Sequence, residues 1–235
     1  MTVLITRPEP EAAAFARMCT ARGFETIVSP LMEIHILEAK VDLSGVGALA
    51  FTSVNGVRAF AQNSAERRLP VFAVGETSAD AARAAGFEEI HTAGGDVDAL
   101  AALIAAQHKS TKGAALHCAG ATRAGDLVKV LEAENLPARR AVLYEARPIA
   151  ALSDAAIAAL KAEKFIDWVA LFSPRSARLF VDRAREAGLK RSLASVKAAC
   201  LSDAVAKELT AAQWKSVRIA PRRDSAAMLE LLAGA

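Results

Sequence analysis

A chain of 235 residues with a 53% apolar fraction can bury a sizeable core, as one large domain or two small ones. Ala, Leu and Val rather than aromatic residues supply that fraction, which favours helix-covered parallel sheets over all-β architectures. A net charge of +3 demands neither nucleic acid nor an anionic membrane as partner. The cysteines Cys19, Cys118 and Cys200 are odd in number, widely spaced and set in apolar contexts, which suits a reducing cytosol better than a disulfide framework. No apolar run approaches the roughly 18 residues of a membrane span, and the N-terminus lacks the basic-then-apolar order of a signal peptide. The chain therefore reads as soluble and cytoplasmic.

Val3 to Thr6 form a short strand, followed by Pro8 and Pro10 at the loop and first turn of a helix, with Glu9 and Glu11 at its acid-favouring end. Phe15, Met18 and Cys19 share one helical face, and Gly23 is a plausible stop. A strand follows at 25–29, and 31–47 lacks clear periodicity. The pattern resumes with a strand from 48 to Ser53, a helix through Phe60 and a strand at 71–74 ending before Gly75. Thr77 and Asp80 have capping-box-like spacing ahead of a helix that stops at Gly86. A strand at 89–92, a turn at Gly94-Gly95-Asp96 and a helix at 98–107 close this block. Next come a strand at 114–118, a loop containing Gly120, a helix at 123–134 and a strand at 140–146. The remainder reads as a helix at 153–163, strand 168–173, a helix from Arg175, strand 196–201, a helix to Trp214, strand 216–219 and a last helix at 224–233. Strands alternating with helices throughout indicate parallel sheets wound on both faces.

One pattern occurs twice: LAFTSVNGVRAF at 49–60 and VALFSPRSARLF at 169–180. Each is a strand-length apolar run broken by small polar residues, with a helical pattern resuming at once. In open α/β sheets such strand ends face the ligand crevice, and helix N-termini offer N–H groups to anions. The blocks that follow also correspond, with Ser202 standing where Gly75 stood, and the opening 1–30 is mirrored loosely by 113–146.

No GxGxxG follows a strand, and no glycine cluster has Walker A spacing. The histidines at 35, 91, 108 and 117 lack metal-ligand spacing, and His117 sits inside a strand, so structural roles are expected for all. Ser53 and Ser173 do not lie in a GxSxG elbow. The strand ends instead carry Arg7, Ser53, Asn55, Gly75, Thr77, Ser78, Gly120, Arg123, Tyr144, Ser173, Arg175 and Ser202, which offer donors and guanidinium groups rather than strong bases. That inventory suits a ligand with many carboxylates. Ser53, Asn55, Thr77, Ser173 and Ser176 could equally be helix caps, a role that uses the same N–H groups as anion binding. Arg58 and Arg178 read as solvated surface, whereas Arg123 and Arg175 stand at helix starts, where a cation opposes the dipole. Tyr144 is the sole tyrosine and falls at a strand end; a core ring with a satisfied hydroxyl would also explain it.

LITRPEPEA at 4–12, AFTSVNGVRAF at 50–60, VFAVGETSADAARAAGF at 71–87, VLYEA at 142–146 and LFSPRSA at 171–177 occur in an order and spacing that resemble the uroporphyrinogen-III synthase family. The resemblance implies two parallel-sheet, three-layer α/β domains, flavodoxin-like or HemD-like, joined by a two-stranded linker. Residues 1–36 plus 149–235 would form a discontinuous first domain and 37–148 the second. Linker strands near 31–38 and 142–149 would put Tyr144 close to an interdomain cleft, with the repeated segments facing each other across it.

The family's substrate is hydroxymethylbilane, a linear tetrapyrrole bearing acetates and propionates, which is dehydrated, inverted at ring D and closed to uroporphyrinogen III without metal or organic cofactor. A monomer acting on a small-molecule tetrapyrrole, without nucleic acid or membrane partner, is expected. Because a pyrrole nitrogen expels hydroxide to leave an azafulvenium cation, the protein need only assist the departing oxygen. A phenol, with a reference pKa of about 10, can do so while protonated, and Tyr144 is the candidate. Attack at the substituted carbon of ring D, through a spiro intermediate, must then prevail over the simpler closure to the type I isomer, which is a problem of orientation. Matched to the family's motifs, Ser53, Asn55, Gly56, Gly75, Thr77, Ser78, Ser173, Pro174, Arg175 and Ser176 would hold carboxylates, and Arg7 and Arg123 would add charge. The chain departs from the family at Ser202 to Val205, where a glycine and a threonine are more usual, and Asp203 would repel a carboxylate unless it faces away. The rival reading is a non-catalytic two-lobed protein that binds a tetrapyrrole or other polyanion; a periplasmic-type binding protein is disfavoured without a signal peptide.

Overall fold

Val3 and Ile5 face one side of their strand and Leu4 the other, and each side meets a different layer of helices. The computed structural model describes residues 1–109, 112–122, 125–162 and 166–234. Its chain separates into two compact units, Met1–Glu33 with Arg147–Ala235, and Ile34–Ala146.

The first unit contains β1 (Thr2–Ile5), α1 (Glu11–Ala21), β2 (Glu25–Val28), α6 (Asp154–Lys161), β9 (Trp168–Leu171), α7 (Pro174–Glu186), β10 (Lys197–Cys200), α8 (Asp203–Lys207), β11 (Ser216–Ile219) and α9 (Ser225–Ala233). Its sheet has the order β11-β10-β9-β1-β2, and the pairings β1–β2, β1–β9, β9–β10 and β10–β11 are all parallel. Leu4, Val169 and Leu171 pack against Leu160 of α6, Phe180 of α7 and Val205 of α8. On the opposite face Val3, Ile5, Trp168 and Ala170 pack against Phe15 and Cys19 of α1 and Met228 and Leu232 of α9. Burying each such Leu or Phe contributes about 1.5–3 kcal/mol, so the two-faced alternation is what holds the layers together.

The connections between β3 (Met32–Ile36) and β8 (Ala138–Pro148) run through β4 (Val46–Phe51), α2 (Val54–Asn63), β5 (Val71–Ala73), α3 (Glu76–Ala84), β6 (Ile90–Thr92), α4 (Val97–Gln107), β7 (Ala114–Gly120) and α5 (Leu127–Ala133). The sheet order is β3-β8-β7-β4-β5-β6, with parallel pairing of β4–β5, β4–β7, β5–β6 and β7–β8. Leu49, Phe51 and Leu116 pack against Val57 and Phe60 of α2 and Ala82 of α3. Ala48, Ala50 and Phe72 pack against Leu100 and Ile104 of α4 and Leu127 and Leu131 of α5. Taken in chain order, the first unit's strands run 2-1-3-4-5, and the β4 to β8 strands run 5-4-1-2-3. These are circular permutations of one arrangement, so the twofold sequence pattern corresponds to twofold topology.

Caps set the helix starts. Ser53 Oγ accepts from Gly56 N at 3.1 Å, Ser173 Oγ from Ser176 N at 3.1 Å, Asp96 from Ala99 N at 2.8 Å and Asp224 from Ala227 N at 2.7 Å. Each such cap is worth about 1 kcal/mol. Gly56 has a second role, because a Cβ there would stand 2.5 Å from the Cys118 carbonyl oxygen. Only glycine lets α2 settle this close to β7.

Several boundaries differ from the sequence expectations. The segment 31–47, without periodicity of its own, holds strand β3, where the resemblance implied a strand near 31–38, while β7 continues through Gly120 rather than ending at 118. Tyr144 lies inside β8 rather than at a strand end, because that strand pairs with β7 on one side and β3 on the other. Helix α5 begins at Leu127, since Gly125 takes φ +101° and Asp126 supplies the cap. Thr77 and Asp80 form no capping box; Gly75 is the N-cap and both lie within α3. Helix α8 ends at Lys207, beyond which turns lead to Trp214, whose Nε1–H donates to the Leu209 carbonyl at 3.3 Å. No helix among the described residues is long and apolar enough to cross a membrane.

Candidate functional site

At the neighbouring strands β7 and β4 the outgoing helices leave for opposite faces of the sheet: α5 packs on one core cluster and α2 on the other. Such a switch point opens a crevice at the carboxyl ends of the strands. Here it is a cavity of about 380 Å³, lined from β4's end by Thr52 and Ser53, from β7 by His117 and Gly120, and from β8 by Arg140 and Tyr144. The α4 cap Asp96 and residues Thr122 and Gly125 complete the described part of its wall.

Two side-chain pairs define the polar geometry. Ser53 Oγ and the Tyr144 hydroxyl lie 2.8 Å apart, and Thr52 Oγ1 lies 3.0 Å from His117 Nε2. The Tyr144 ring occupies space that any side chain at position 120 would need, for a Cβ on Gly120 would sit 2.8 Å from ring carbons Cε2 and Cζ. Gly120 and Tyr144 are paired across β7 and β8 after a register shift at Ala119. That irregularity places a large ring against a bare backbone. The Arg140 guanidinium donates to the Gly120 carbonyl and, at 3.5 Å, to that of Ala121, which ties the end of β7 to β8.

His117 is only 8% exposed, and burial, reinforced by the Arg140 charge and opposed by Asp126, pulls its pKa from 6.5 down to about 4. The ring is neutral at pH 7, so Arg140 is not facing a second cation. Because the folded value lies below the unfolded one, His117 contributes stability that is fully present above about pH 6.5 and lost as pH falls toward 4. The full loss is on the order of 3 kcal/mol. His117→Gln is expected to flatten this dependence, measured as the urea midpoint at pH 7 and pH 4.5. An equal acid loss in variant and parent would mean that other groups carry it.

The corresponding end of the first unit lies at the switch between β1 and β9. Arg7 follows β1, with its guanidinium 4.2 Å over the Phe172 ring and Nη1 donating to Ser225 Oγ at 3.0 Å. Ser173 caps α7, its Oγ 2.8 Å from Ser176 Oγ, with Pro174 in the first turn and Arg175 beside it. Ser202 is the N-cap of α8 but makes no side-chain capping bond. Asp203 is exposed, and Val205 is buried in the core facing α7, where a hydroxyl would have to find a partner.

Of the residues expected from sequence, Ser53, Gly120 and Tyr144 meet at the cavity. Asn55 and Gly56 stand in the first turn of α2, and Gly75, Thr77 and Ser78 at the start of α3, outside the cavity lining. Arg123 lies outside the described residues. Sequence reasoning missed Thr52, His117 and Arg140. His117 was visible only as a strand histidine, and its register partner Arg140 as half of a basic pair, Arg139-Arg140, entering a strand. Among the described residues no group of three His, Cys, Asp or Glu side chains could hold a metal ion.

Residues 13–230 match the family model described as Uroporphyrinogen-III synthase HemD. A stretch of 58 residues is 41% identical to a curated protein of Methanocaldococcus jannaschii whose name refers to the same synthase; the stretch spans 24% of each chain. Among solved structures, uroporphyrinogen-III synthetase of Helicobacter pylori is similar at a TM-score of 0.65, with 17% identity over 99% of this chain and 98% of that one. A mutant uroporphyrinogen III synthase of Thermus thermophilus gives 0.58, also at 17% identity, over 100% and 98%. At such identity the two structures speak to the fold: mixed α/β with parallel sheets.

Proposed function

The chain belongs to the uroporphyrinogen-III synthase family, whose enzymes are lyases that close linear hydroxymethylbilane to uroporphyrinogen III, and we propose that Tyr144 assists the loss of hydroxide in that closure. The observation that carries this reading is the 2.8 Å contact between the Ser53 and Tyr144 hydroxyls on the wall of the switch-point cavity. Ser53 Oγ already accepts from Gly56 N–H, so its own proton is free to be donated to the Tyr144 oxygen. Tyr144 then directs its proton at the leaving oxygen. The chain of donors runs from the N-terminus of α2 outward, and each bond polarises the next.

The C–O bond of the hydroxymethyl group breaks with its electron pair going to oxygen, while the pyrrole nitrogen lone pair fills the vacancy at carbon. Attack by the substituted carbon of ring D, fragmentation of the spiro intermediate and reclosure follow. Final loss of a ring proton balances the departing hydroxide as water. None of these steps requires a strong base.

Orientation falls to the carboxylate-holding residues. In this reading Ser53, Asn55, Gly56, Gly75, Thr77, Ser78 and Gly120 hold substrate at the carboxyl ends of β4, β5 and β7, and Arg123, outside the described residues, adds charge. Arg7, Ser173, Pro174, Arg175, Ser176 and Ser202 hold it at the equivalent strand ends of the first unit, after β1, β9 and β10. The two units act as two domains, the first discontinuous, with β3 and β8 as the connecting strands. The three buried free thiols support a protein working in a reducing cytoplasm, and it is taken to act as a monomer. Incubating the purified protein with hydroxymethylbilane and separating the product isomers tests the reading. Type III is expected in large excess over type I, and type I alone would overturn it.

A further inference from the structure

Arg140 has a charge without an ionic partner. Its guanidinium carries five N–H donors, yet its bonds go to the backbone carbonyls of Gly120 and Ala121, and among the described residues no carboxylate pairs with it. Asp96, the acid in the same cavity wall, turns Oδ1 to Ala99 N at 2.8 Å and is engaged at the start of α4. His117, in register with Arg140 on the adjacent strand, is neutral at pH 7. Among the described residues lining the cavity, Arg140 is the one fixed positive charge, beside the Ser53 and Tyr144 hydroxyls and Thr52. A guanidinium with spare donors in a concave site is suited to a carboxylate, which it can grip by two parallel bonds.

We propose that Arg140 binds a carboxylate of the ring that carries the hydroxymethyl group, seating that ring in the cavity beside Tyr144. The inference rests on the proposed use of this cavity for tetrapyrrole closure. At about 380 Å³ the cavity is near the small end of ligand pockets, which span roughly 300–1,000 Å³, and it accommodates one substituted pyrrole rather than four. Through the Gly120 carbonyl, Arg140 is also tied to the backbone against which the Tyr144 ring rests. A carboxylate held by Arg140 is thereby placed at a fixed offset from the Tyr144 hydroxyl. Acetate and propionate arms differ by one methylene, so this offset would discriminate between the two edges of the ring.

The test compares Arg140→Gln and Arg140→Lys with the parent enzyme, using anaerobic binding of uroporphyrinogen III as probe and steady-state turnover of hydroxymethylbilane. Gln keeps an amide donor for the Gly120 carbonyl but removes the charge. Arg140→Gln is expected to weaken product binding and raise KM by about ten- to a hundred-fold, with a shallower dependence of binding on salt. Arg140→Lys should recover part of the affinity. Unchanged affinity and salt dependence in a folded Gln variant would overturn the proposal, and a lower Tm with unchanged affinity would show that Arg140 only clamps β7 to β8. If the parent itself forms no type III product, the underlying reading fails. If it does, unchanged affinity in the variant counts against Arg140 alone.

Discussion

Tyr144→Phe is expected to lower kcat by about two orders of magnitude while the fold stays intact. General acid assistance contributes typically about 10²–10⁴-fold, and the phenol is the proposed proton donor to the leaving oxygen. The pyrrole nitrogen still drives departure in the variant, which places the loss at the lower end of that range. Stability should change little. The Phe ring fills the same space beside Gly120, and Ser53 keeps its bond from Gly56 N, so the cost is one part-buried hydrogen bond of about 1 kcal/mol. For a chain of this size that corresponds to a Tm lower by about 3 °C. Turnover by the Phe variant at the parent rate would remove Tyr144 from the chemistry.

Gly120→Ala should damage activity as severely by a purely steric route. The added Cβ would lie 2.8 Å from Cε2 and Cζ of Tyr144 and 3.1 Å from its oxygen, closer than unbonded atoms pack. Either the ring swings away from Ser53 or the strands β7 and β8 part, and both move the hydroxyl by a sizeable fraction of an ångström. Misplacement of a reacting group by about 1 Å can cost about 10²-fold in rate. Overpacking itself costs about 1–3 kcal/mol, which chemical denaturation would register. Because both changes act on one group, adding Gly120→Ala to Tyr144→Phe should cost little further rate. Parent-like kcat in the Ala variant, or fully multiplied losses in the double variant, would show that the position of the ring does not matter.

The alternation of strands and helices was legible because each central strand is buried on both faces and reads as a short unbroken apolar run, whereas each helix buries a stripe. The Ser53 and Ser173 helix starts were legible for a related reason: a capping serine after an apolar run is a local signal. The cavity was not. Thr52 and His117 are 65 residues apart, and His117 meets Arg140 only through the register of β7 on β8. Nothing local to Arg140 distinguishes it from Arg139, which instead donates to Asp42 and to the Ser44 carbonyl. The extent of β8 was hidden for a similar reason, since its pairing with β3 depends on a segment that carries no periodic pattern of its own. Parallel pairing of β1 with β9 joins segments separated by the whole intervening block, which a local pattern cannot encode. Helix α5 shows the reverse case, where Gly125 and Asp126 did carry the information and a helical reading from 123 overrode it.

The account turns on Tyr144 acting in hydroxide loss rather than in the choice of closure. A single-turnover experiment with hydroxymethylbilane, isomers resolved and spontaneous closure subtracted, separates the two for the parent and Tyr144→Phe. Formation of type III product should slow by about a hundred-fold in the variant, while the ratio of type III to type I formed on the enzyme stays that of the parent. An undiminished rate, or a shift of the enzyme-formed product toward type I, would contradict it.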